Sequence, residues 1–577
     1  MKKLLALLLV LCVLVSGVAG CASKTTTSGD SKTSTTQTDT KDTQPTETKE
    51  EDYSETGSLN VLWFASGGTD GKFECVYLDY QSQVPDMLYD TLLKLDIEDH
   101  TKYVPRIAEK WDISNDGLIY TFYIRENCNW TDGKPVTADD FVFSFEAQLR
   151  GYGIQNERGS FAYIKGAKEF VEGTADHIEG IKADGKKLTI ELHTPYSYFM
   201  RTLATFVPYP RHCFPENVDY TKFGEYEYWE FPIHCGPYKL ESVHYPDSCV
   251  LVRNDDWYGP KPGIKYIHGI SFSTGGKDAA EAAMIAGKLD LVHSNEFNDI
   301  NFAQNVVSKN PDYSYQVFPS AYIRLMCTNL TGSQDGKWNK FMANADFRKA
   351  INYAIDKEGI ASYFPGQAVA LSTLVNPDDP FYNKSIPRFK RDTEKAKELL
   401  KSVGYDGSTV RIAYYYNDQI SKDIVDYICQ NLNDVGIKTE SILFTQDLAN
   451  AIYEMKNWDL LYAGANQMSG LECYGLLATG AIYDKYLGNA ELRDELFTKY
   501  MNELLITTDT NKIREIGNKL QENGVEYCAQ IPLYAMNKVM VFNDAKWDFD
   551  EVWLKGTDLA IYRTCDLRLE SWKLRKP

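Results

Sequence analysis

The stretch AEKWDISNDGLIYTFYIRENCNWTDGKPVTADDFVFSFE, Ala108 to Glu146, decides the fold. Tyr120, Phe122 and Ile124 alternate with Ile119, Thr121 and Tyr123, the period of a strand. Both sets are apolar or aromatic, which predicts a strand covered on both faces. Asn115-Asp116-Gly117 before it and Asp132-Gly133 after it are turn formers, because Gly accepts positive φ and Asp bonds its own backbone. Thr137 precedes Asp140 with capping-box spacing: its hydroxyl is placed to accept the Asp140 amide, and the carboxylate to neutralise orphan N–H groups. Phe141 and Phe145 lie one turn apart behind it, a helix face made for burial. The stretch is a scaffold, in which Asp139 and Asp140 read as caps or surface groups rather than catalytic acids.

Four of its runs fall in a fixed order: Ala108-Glu109-Lys110-Trp111, Phe122-Tyr123-Ile124-Arg125, Asp132-Gly133-Lys134-Pro135 and Ala138-Asp139-Asp140-Phe141. In that order they closely resemble the signature region of the family 5 extracellular solute-binding proteins, the dipeptide and oligopeptide binders of bacterial ABC importers. Further runs resemble the same family. They are Leu88–Leu95, Cys235-Gly236-Pro237-Tyr238-Lys239-Leu240, Asp256-Trp257-Tyr258, the helix-like Asp346–Lys357, and Ile531-Pro532-Leu533-Tyr534 with Val539–Phe542. The resemblance runs from about Leu59 to the C-terminus. It implies a periplasmic-binding-protein-like α/β fold, with two hinged α/β lobes (type II, cluster C) and an additional inserted domain. On this reading 58–88, 207–320 and 535–577 form the first lobe, 89–206 the inserted domain and 321–534 the second lobe. The cleft between the lobes would hold the ligand and close on it by hinge motion.

Away from the resemblance, the pattern supports several elements. Ile178–Leu192 alternates around Asp184-Gly185, a hairpin. Within Asp346–Lys357, Phe347, Ile351 and Ala354 share an apolar stripe. Arg391–Ser402 reads as a helix with Lys395, Lys397 and Lys401 on a solvated face, and Ser421–Val435 and Asn511–Asn523 as two more. Val410–Tyr416 and Trp458–Ala463 read as strands of the second lobe. Gly180 and Gly185-Lys186 are a near miss for a phosphate loop, but Lys187 stands where Ser or Thr is needed.

A chain of 577 residues is long enough for two or three domains. It begins with Met1-Lys2-Lys3, then an almost unbroken apolar run from Leu4 to Val15, too short for an ordinary membrane span. Val18-Ala19-Gly20-Cys21 follows, which resembles a bacterial lipoprotein signal. Residues 1–20 are then the signal peptide, and Cys21 becomes a diacylglyceryl-modified N-terminus anchored in the lipid bilayer. Residues 21–57 are polar and charged throughout, with nothing to offset the entropy of ordering, so a disordered tether is expected, on the order of 30 Å end to end. Loss of Lys2 and Lys3 leaves 59 basic against 81 acidic side chains, a net −22, which argues against a nucleic-acid partner. Aromatic residues make up 13% of the chain, with 39 Tyr, enough to build sheet–helix cores and a recognition surface. Of 12 cysteines, Cys12 leaves with the leader and Cys21 carries lipid. The rest form no C-x-x-C pair, and both disulfides and buried thiols remain open.

For function the alternative class is an exported glycoside or peptide hydrolase. No H-E-x-x-H and no G-x-S-x-G is present, while 81 acidic residues leave carboxylate pairs open. The family resemblance implies a binder and no enzyme, with no cofactor and no metal. It points to a monomer that delivers solute to ABC permease subunits at the extracytoplasmic face of the membrane. In the family's peptide binders an Asp meets the ligand's α-amine, in a run that follows the strand corresponding to Asp459–Tyr462. Here the matching Trp and Asp positions hold Ala465 and Met468, and Glu472 is the acid placed to substitute. The candidate ligand-binding residues are Tyr322, Asn329, Asn466, Met468, Glu472 and Tyr534. Peptide is the expected ligand, with an oligosaccharide, a nickel complex or another small solute as alternatives.

Overall fold

The computed structural model describes residues 58–62, 87–96, 102–152, 156–244, 247–272, 276–292, 299–466, 471–475, 495–548 and 572–575. The leader, Cys21 and the tether lie outside them. The chain enters with β1 (Ser58–Leu62), then forms a short pair, β2 (Leu93–Leu95) and β3 (Tyr103–Pro105). β4 (Ala108–Ile113), β5 (Ile119–Ile124), β6 (Ile181–Asp184) and β7 (Lys187–Glu191) make a four-stranded antiparallel sheet in the order β4-β5-β7-β6. The hairpin expected around Asp184-Gly185 is β6–β7, with Gly185 at φ +59.

The β5 strand corrects one expectation. Tyr120, Phe122 and Ile124 are buried, but Ile119 is 41% exposed, and Thr121 and Tyr123 are half-buried. The helix Ala138–Tyr152 packs on one face of this sheet, so only the alternate residues of β5 reach the core. At the start of that helix the capping box works chiefly through its acid. Asp140 Oδ2 accepts from the Thr137 amide at 2.8 Å, the Thr137 hydroxyl at 3.2 Å and Trp130 Nε1 at 3.3 Å, while Oδ1 accepts from the Arg211 amide at 2.8 Å. Asp140 is buried rather than on the surface. Behind it Phe145 stacks on Phe206 at 4.2 Å, and Phe143 packs on Phe214 and Phe223 at 5.0 and 5.8 Å. Many of the chain's aromatic residues are used in this way, to fill a core.

Residues 207–237 stay on this helix: Tyr220 donates to Glu146 at 2.8 Å, and Trp229 is fully buried. The next strand begins at Tyr238, within the family-like run that starts at Cys235. β8 (Tyr238–His244), β9 (Ser248–Arg253), β10 (Tyr266–Ile270), β11 (Leu291–Val292) and β12 (Tyr313–Phe318) follow. β13 (Tyr322–Thr328), β14 (Ala368–Ala370), β15 (Val410–Tyr414), β16 (Thr439–Leu443), β17 (Leu460–Asn466) and β18 (Gln530–Met536) belong to a second sheet. β19 (Lys538–Asn543) returns to the first. The seven-stranded sheet has the order β12-β19-β11-β1-β10-β9-β8, and the six-stranded sheet the order β14-β18-β13-β17-β15-β16. A last antiparallel pair, β20 (Trp547–Asp548) and β21 (Lys573–Leu574), closes the described chain.

The two large sheets are the cores of two α/β lobes, and the chain passes between them twice. One passage is Pro319–Ala321, between β12 and β13; the other is the single residue Asn537, between β18 and β19. In the second lobe the helices Ala345–Ala354, Thr393–Ser402 and Gln419–Asn433 bury apolar stripes on the sheet. Phe347, Ile351 and Ala354 are fully enclosed, as the stripe predicts. Of the described cysteines, Cys128, Cys213, Cys235, Cys249, Cys429 and Cys528 are free thiols. Among the described residues no helix is long and apolar enough to cross a membrane.

Candidate functional site

β13 begins directly after the first passage, and its alternation sorts its side chains onto two faces. Ile323, Leu325 and Cys327 enter one core of the second lobe, together with Leu461, Ala463 and Ala465 of β17. Tyr322, Arg324 and Met326 share the opposite face. Register across β13 pairs Tyr322 with Asn466, Arg324 with Gly464 and Met326 with Tyr462 of β17. On the other side Arg324 pairs with Tyr534 of β18. β15 runs parallel to β17 and aligns Tyr414 with Tyr462, so the chain leaving β15 carries Tyr415 and Tyr416 to the same edge. The carboxyl ends of β15, β17 and β18 thus meet at the start of β13. In open α/β sheets this is the edge where ligands bind.

Arg324 is the centre of the cluster. Its guanidinium lies 3.8 Å from the centroid of the Tyr416 ring, 5.0 Å from Tyr322 and 5.8 Å from Tyr462. Tyr462 and Tyr534 share a hydroxyl hydrogen bond of 2.9 Å, and Tyr415 and Tyr416 one of 3.2 Å. Phe364 backs Tyr534 at 5.6 Å. Gly464 makes the room: a Cβ there would stand 2.6 Å from Arg324 Nη1 and 2.8 Å from the Tyr416 hydroxyl. Burial pushes the phenols of Tyr322, Tyr462 and Tyr534 up from their ordinary range, so all three are neutral at neutral pH. The rings offer Arg324 their negative faces but no counter-charge. Lys538, the first residue of β19 and so part of the first lobe's sheet, places Nζ 5.5 Å from the Tyr322 ring. Asp418 acts on Tyr322 from a distance, and its carboxylate accepts the Ser421 amide at 2.8 Å to cap the helix Gln419–Asn433.

The residues expected from the sequence divide three ways. Tyr322 and Tyr534 stand at this cluster. Asn466 is in register with Tyr322, but its side chain lies outside the described residues. Met468 lies wholly outside them, as does the side chain of Glu472, whose backbone opens the short helix Glu472–Gly475. Asn329 is elsewhere, past the far end of β13. It is fully buried, and its Nδ2 donates to the carbonyls of Trp458, Gly332 and Lys456 at 2.8, 3.0 and 3.2 Å. Its Oδ1 accepts the Thr331 amide at 3.0 Å, so its polar groups hold a turn and are not offered to a ligand. Sequence reading missed Arg324, Tyr416, Tyr462 and Gly464. The available signal was Gly464 itself, since a glycine inside a strand often marks a close approach.

Among the described residues no three His, Cys, Asp or Glu side chains converge in a way that would hold a metal ion. The chain matches the family described as bacterial extracellular solute-binding proteins, family 5, over residues 102–469. It is 26% identical to the nickel-binding periplasmic protein of Escherichia coli over 63% of this chain and 66% of that protein. It is 25% identical to the dipeptide-binding protein DppE of Bacillus subtilis over 76% of this chain and 80% of that protein. Against the E. coli dipeptide-binding protein the aligned part is 59% of that protein's length. The solved substrate-binding protein CtaP of Listeria monocytogenes superposes with a TM-score of 0.69 at 21% identity, over 90% of this chain and 99% of that one. A putative peptide-binding protein AppA from Clostridium difficile does so with a TM-score of 0.71 at 18% identity, over 90% of this chain and all of that one. The match spans well over half of the chain and includes the scaffold at Ala108–Glu146, the first of the two passages between the lobes and most of the second lobe. The chain belongs to the family 5 bacterial extracellular solute-binding proteins.

Proposed function

We propose that this protein captures oligopeptides between its two lobes and delivers them to the permease subunits of an ABC importer. The observation that supports this most is the edge where β13, β15, β17 and β18 meet beside both inter-lobe passages. Exposed strand ends bond a peptide backbone, and aromatic walls accept varied side chains. Relatives named for dipeptides and oligopeptides agree with it. Mass spectrometry of material released by denaturing the protein from its native host is expected to identify peptides. An oligosaccharide or a metal complex there would overturn the assignment.

A peptide amine needs an acceptor, because an unpaired buried ammonium costs several kcal/mol. Glu472 takes that role, just beyond the end of β17. A charge-assisted hydrogen bond contributes about 1.5–3 kcal/mol, so E472Q weakens a free-amine peptide about tenfold to a hundredfold. The N-acetylated peptide is hardly affected. Equal affinities for E472Q and wild type would remove Glu472 alone. Acylation of Cys21 holds the protein, a monomer, at the extracytoplasmic face of the cell membrane, and the polar segment 22–57 gives it reach. C21A is expected in the soluble fraction or as uncleaved precursor, and processing and membrane retention like wild type would refute the anchor.

A further inference from the structure

The other buried arginines of the second lobe face backbone carbonyls or carboxylates, although Arg411 Nε and Nη2 also lack a hydrogen-bond partner among the described residues. Arg348 donates to the carbonyls of Cys528, Met342 and Tyr527 at 3.1, 2.7 and 2.7 Å. Arg411 faces the Asp335 carboxylate at 2.7 Å and Asp459 at 3.5 Å. Arg324 differs. Its Nη1 is sealed from solvent and has no hydrogen-bond partner among the described residues. The residue as a whole is half-buried, at the end of the sheet beside the first passage. A guanidinium is charged at every relevant pH and carries five donors in one plane. Aromatic faces compensate part of the lost hydration and Tyr534 takes a hydrogen bond from the side chain, but Nη1 is left unused. An arrangement of this kind is complete only when a planar anion meets the fork.

Position strengthens the point. Arg324 lies three residues beyond the first passage, and the neighbouring ring of Tyr322 also carries the Lys538 ammonium from the other lobe. An anion seated here sits between a second-lobe guanidinium and a first-lobe ammonium. Its binding energy therefore favours the closed arrangement of the lobes. Gly464 opposite Arg324 keeps the guanidinium at this edge, since any β-carbon would displace it.

We infer that Arg324, walled by Tyr322, Tyr416, Tyr462 and Tyr534 and given space by Gly464, is a carboxylate-binding subsite for the transported solute. This deepens the peptide reading and rests on the same cleft. The carboxylate is the peptide's C-terminus or an acidic side chain, and the site selects against ligands in which it is amidated.

Titration calorimetry on the full chain tests this with five probes: trialanine, trialanine amide, the amide of Ala-Glu-Ala, succinate and succinamide. Wild type is expected to bind the carboxylate-bearing peptides about tenfold to a hundredfold more tightly than trialanine amide. Trialanine against Ala-Glu-Ala amide tells the C-terminal carboxylate from the side-chain one. R324M is expected to lose the preference. G464A is the second variant, because its added methyl pushes on the far ends of the Arg324 and Tyr416 side chains rather than on backbone. Should no peptide bind while succinate is still preferred over succinamide by wild type and not by R324M, the peptide reading falls and the carboxylate subsite stands. Should wild type show no preference for any carboxylate over its amide, or should the preference survive in either folded variant, the inference is overturned.

Discussion

His234 shows how much one buried side chain can determine. It is 1% exposed, its Nε2 has no hydrogen-bond partner among the described residues, and its ring meets Tyr89 edge-on at 5.1 Å. Burial disfavours the imidazolium and depresses its pKa from 6.5 to about 3. Between those values the unfolded chain holds a proton that the folded chain does not. Stability from this residue is therefore fully present above about pH 6.5 and is lost as the pH falls toward 3, at roughly 1.4 kcal/mol per pH unit. Chemical denaturation of wild type and H234F at pH 7, 6, 5 and 4 is expected to show the steeper loss in wild type, with other titrating groups cancelling in the comparison. Parallel pH profiles would mean that the imidazole is solvated. None of this was legible in the sequence, where His234 is one histidine among eight and only tertiary packing determines its burial. Arg324 was hidden for the same reason: its meaning comes from Gly464 and Tyr534, which are distant in sequence and brought beside it by strand pairing.

At the scale of elements the sequence was far more readable, because local chemistry sets element boundaries. Asp-capped helix starts at Asp392, Asp418 and Asp509 each accept an amide of the first turn, at 2.9, 2.8 and 2.8 Å. The helices expected at Arg391, Ser421 and Asn511 begin within two residues of these caps, at Thr393, Gln419 and Thr510. The β6–β7 hairpin followed from Asp184-Gly185 in the same way. The error at β5 has an equally local cause. Ile119 and Tyr123 look like core residues by composition, but the one helix that packs on this sheet occupies its opposite face. Periodicity tells which residues share a face and does not tell whether a second layer exists. The strand at Trp458–Ala463 was placed about two residues early at its start and three short at its end. β17 runs on to Asn466, and the added part includes Gly464, which makes room for Arg324 at the candidate site. Asn329 lies away from the cluster and holds a turn, and an Asn after a strand reads alike in sequence whether it does that or meets a ligand.

At the scale of the whole molecule the two passages between lobes form one polar joint. Ser320, Gln367, Asn376 and Asn537 are all buried there. Asn537 Oδ1 accepts from the Ser320 amide at 3.3 Å and from Asn376 Nδ2 at 3.0 Å, and Asn376 Nδ2 also reaches the Ser320 carbonyl at 2.9 Å. Gln367 donates to the Asn537 carbonyl at 3.0 Å, while its Oε1 accepts the Ile300 amide at 3.1 Å from the first helix turn of the other lobe. Hydrogen bonds concentrated at two short passages, with separate apolar cores on either side, favour bending at the joint over deformation of a lobe. Replacing Asn537 with Ala leaves the Ser320 amide without its acceptor and Asn376 Nδ2 with one of its two, a loss of about 1–3 kcal/mol in unfolding free energy. Small-angle scattering of wild type is expected to show a smaller radius of gyration once the ligand identified by mass spectrometry is added. R324M should contract less at the same ligand concentration, since the anchor on the second lobe is gone. Superposable profiles for wild type with and without a ligand shown to be bound would count against closure, and would leave a fixed cleft in which Arg324 acts on affinity alone.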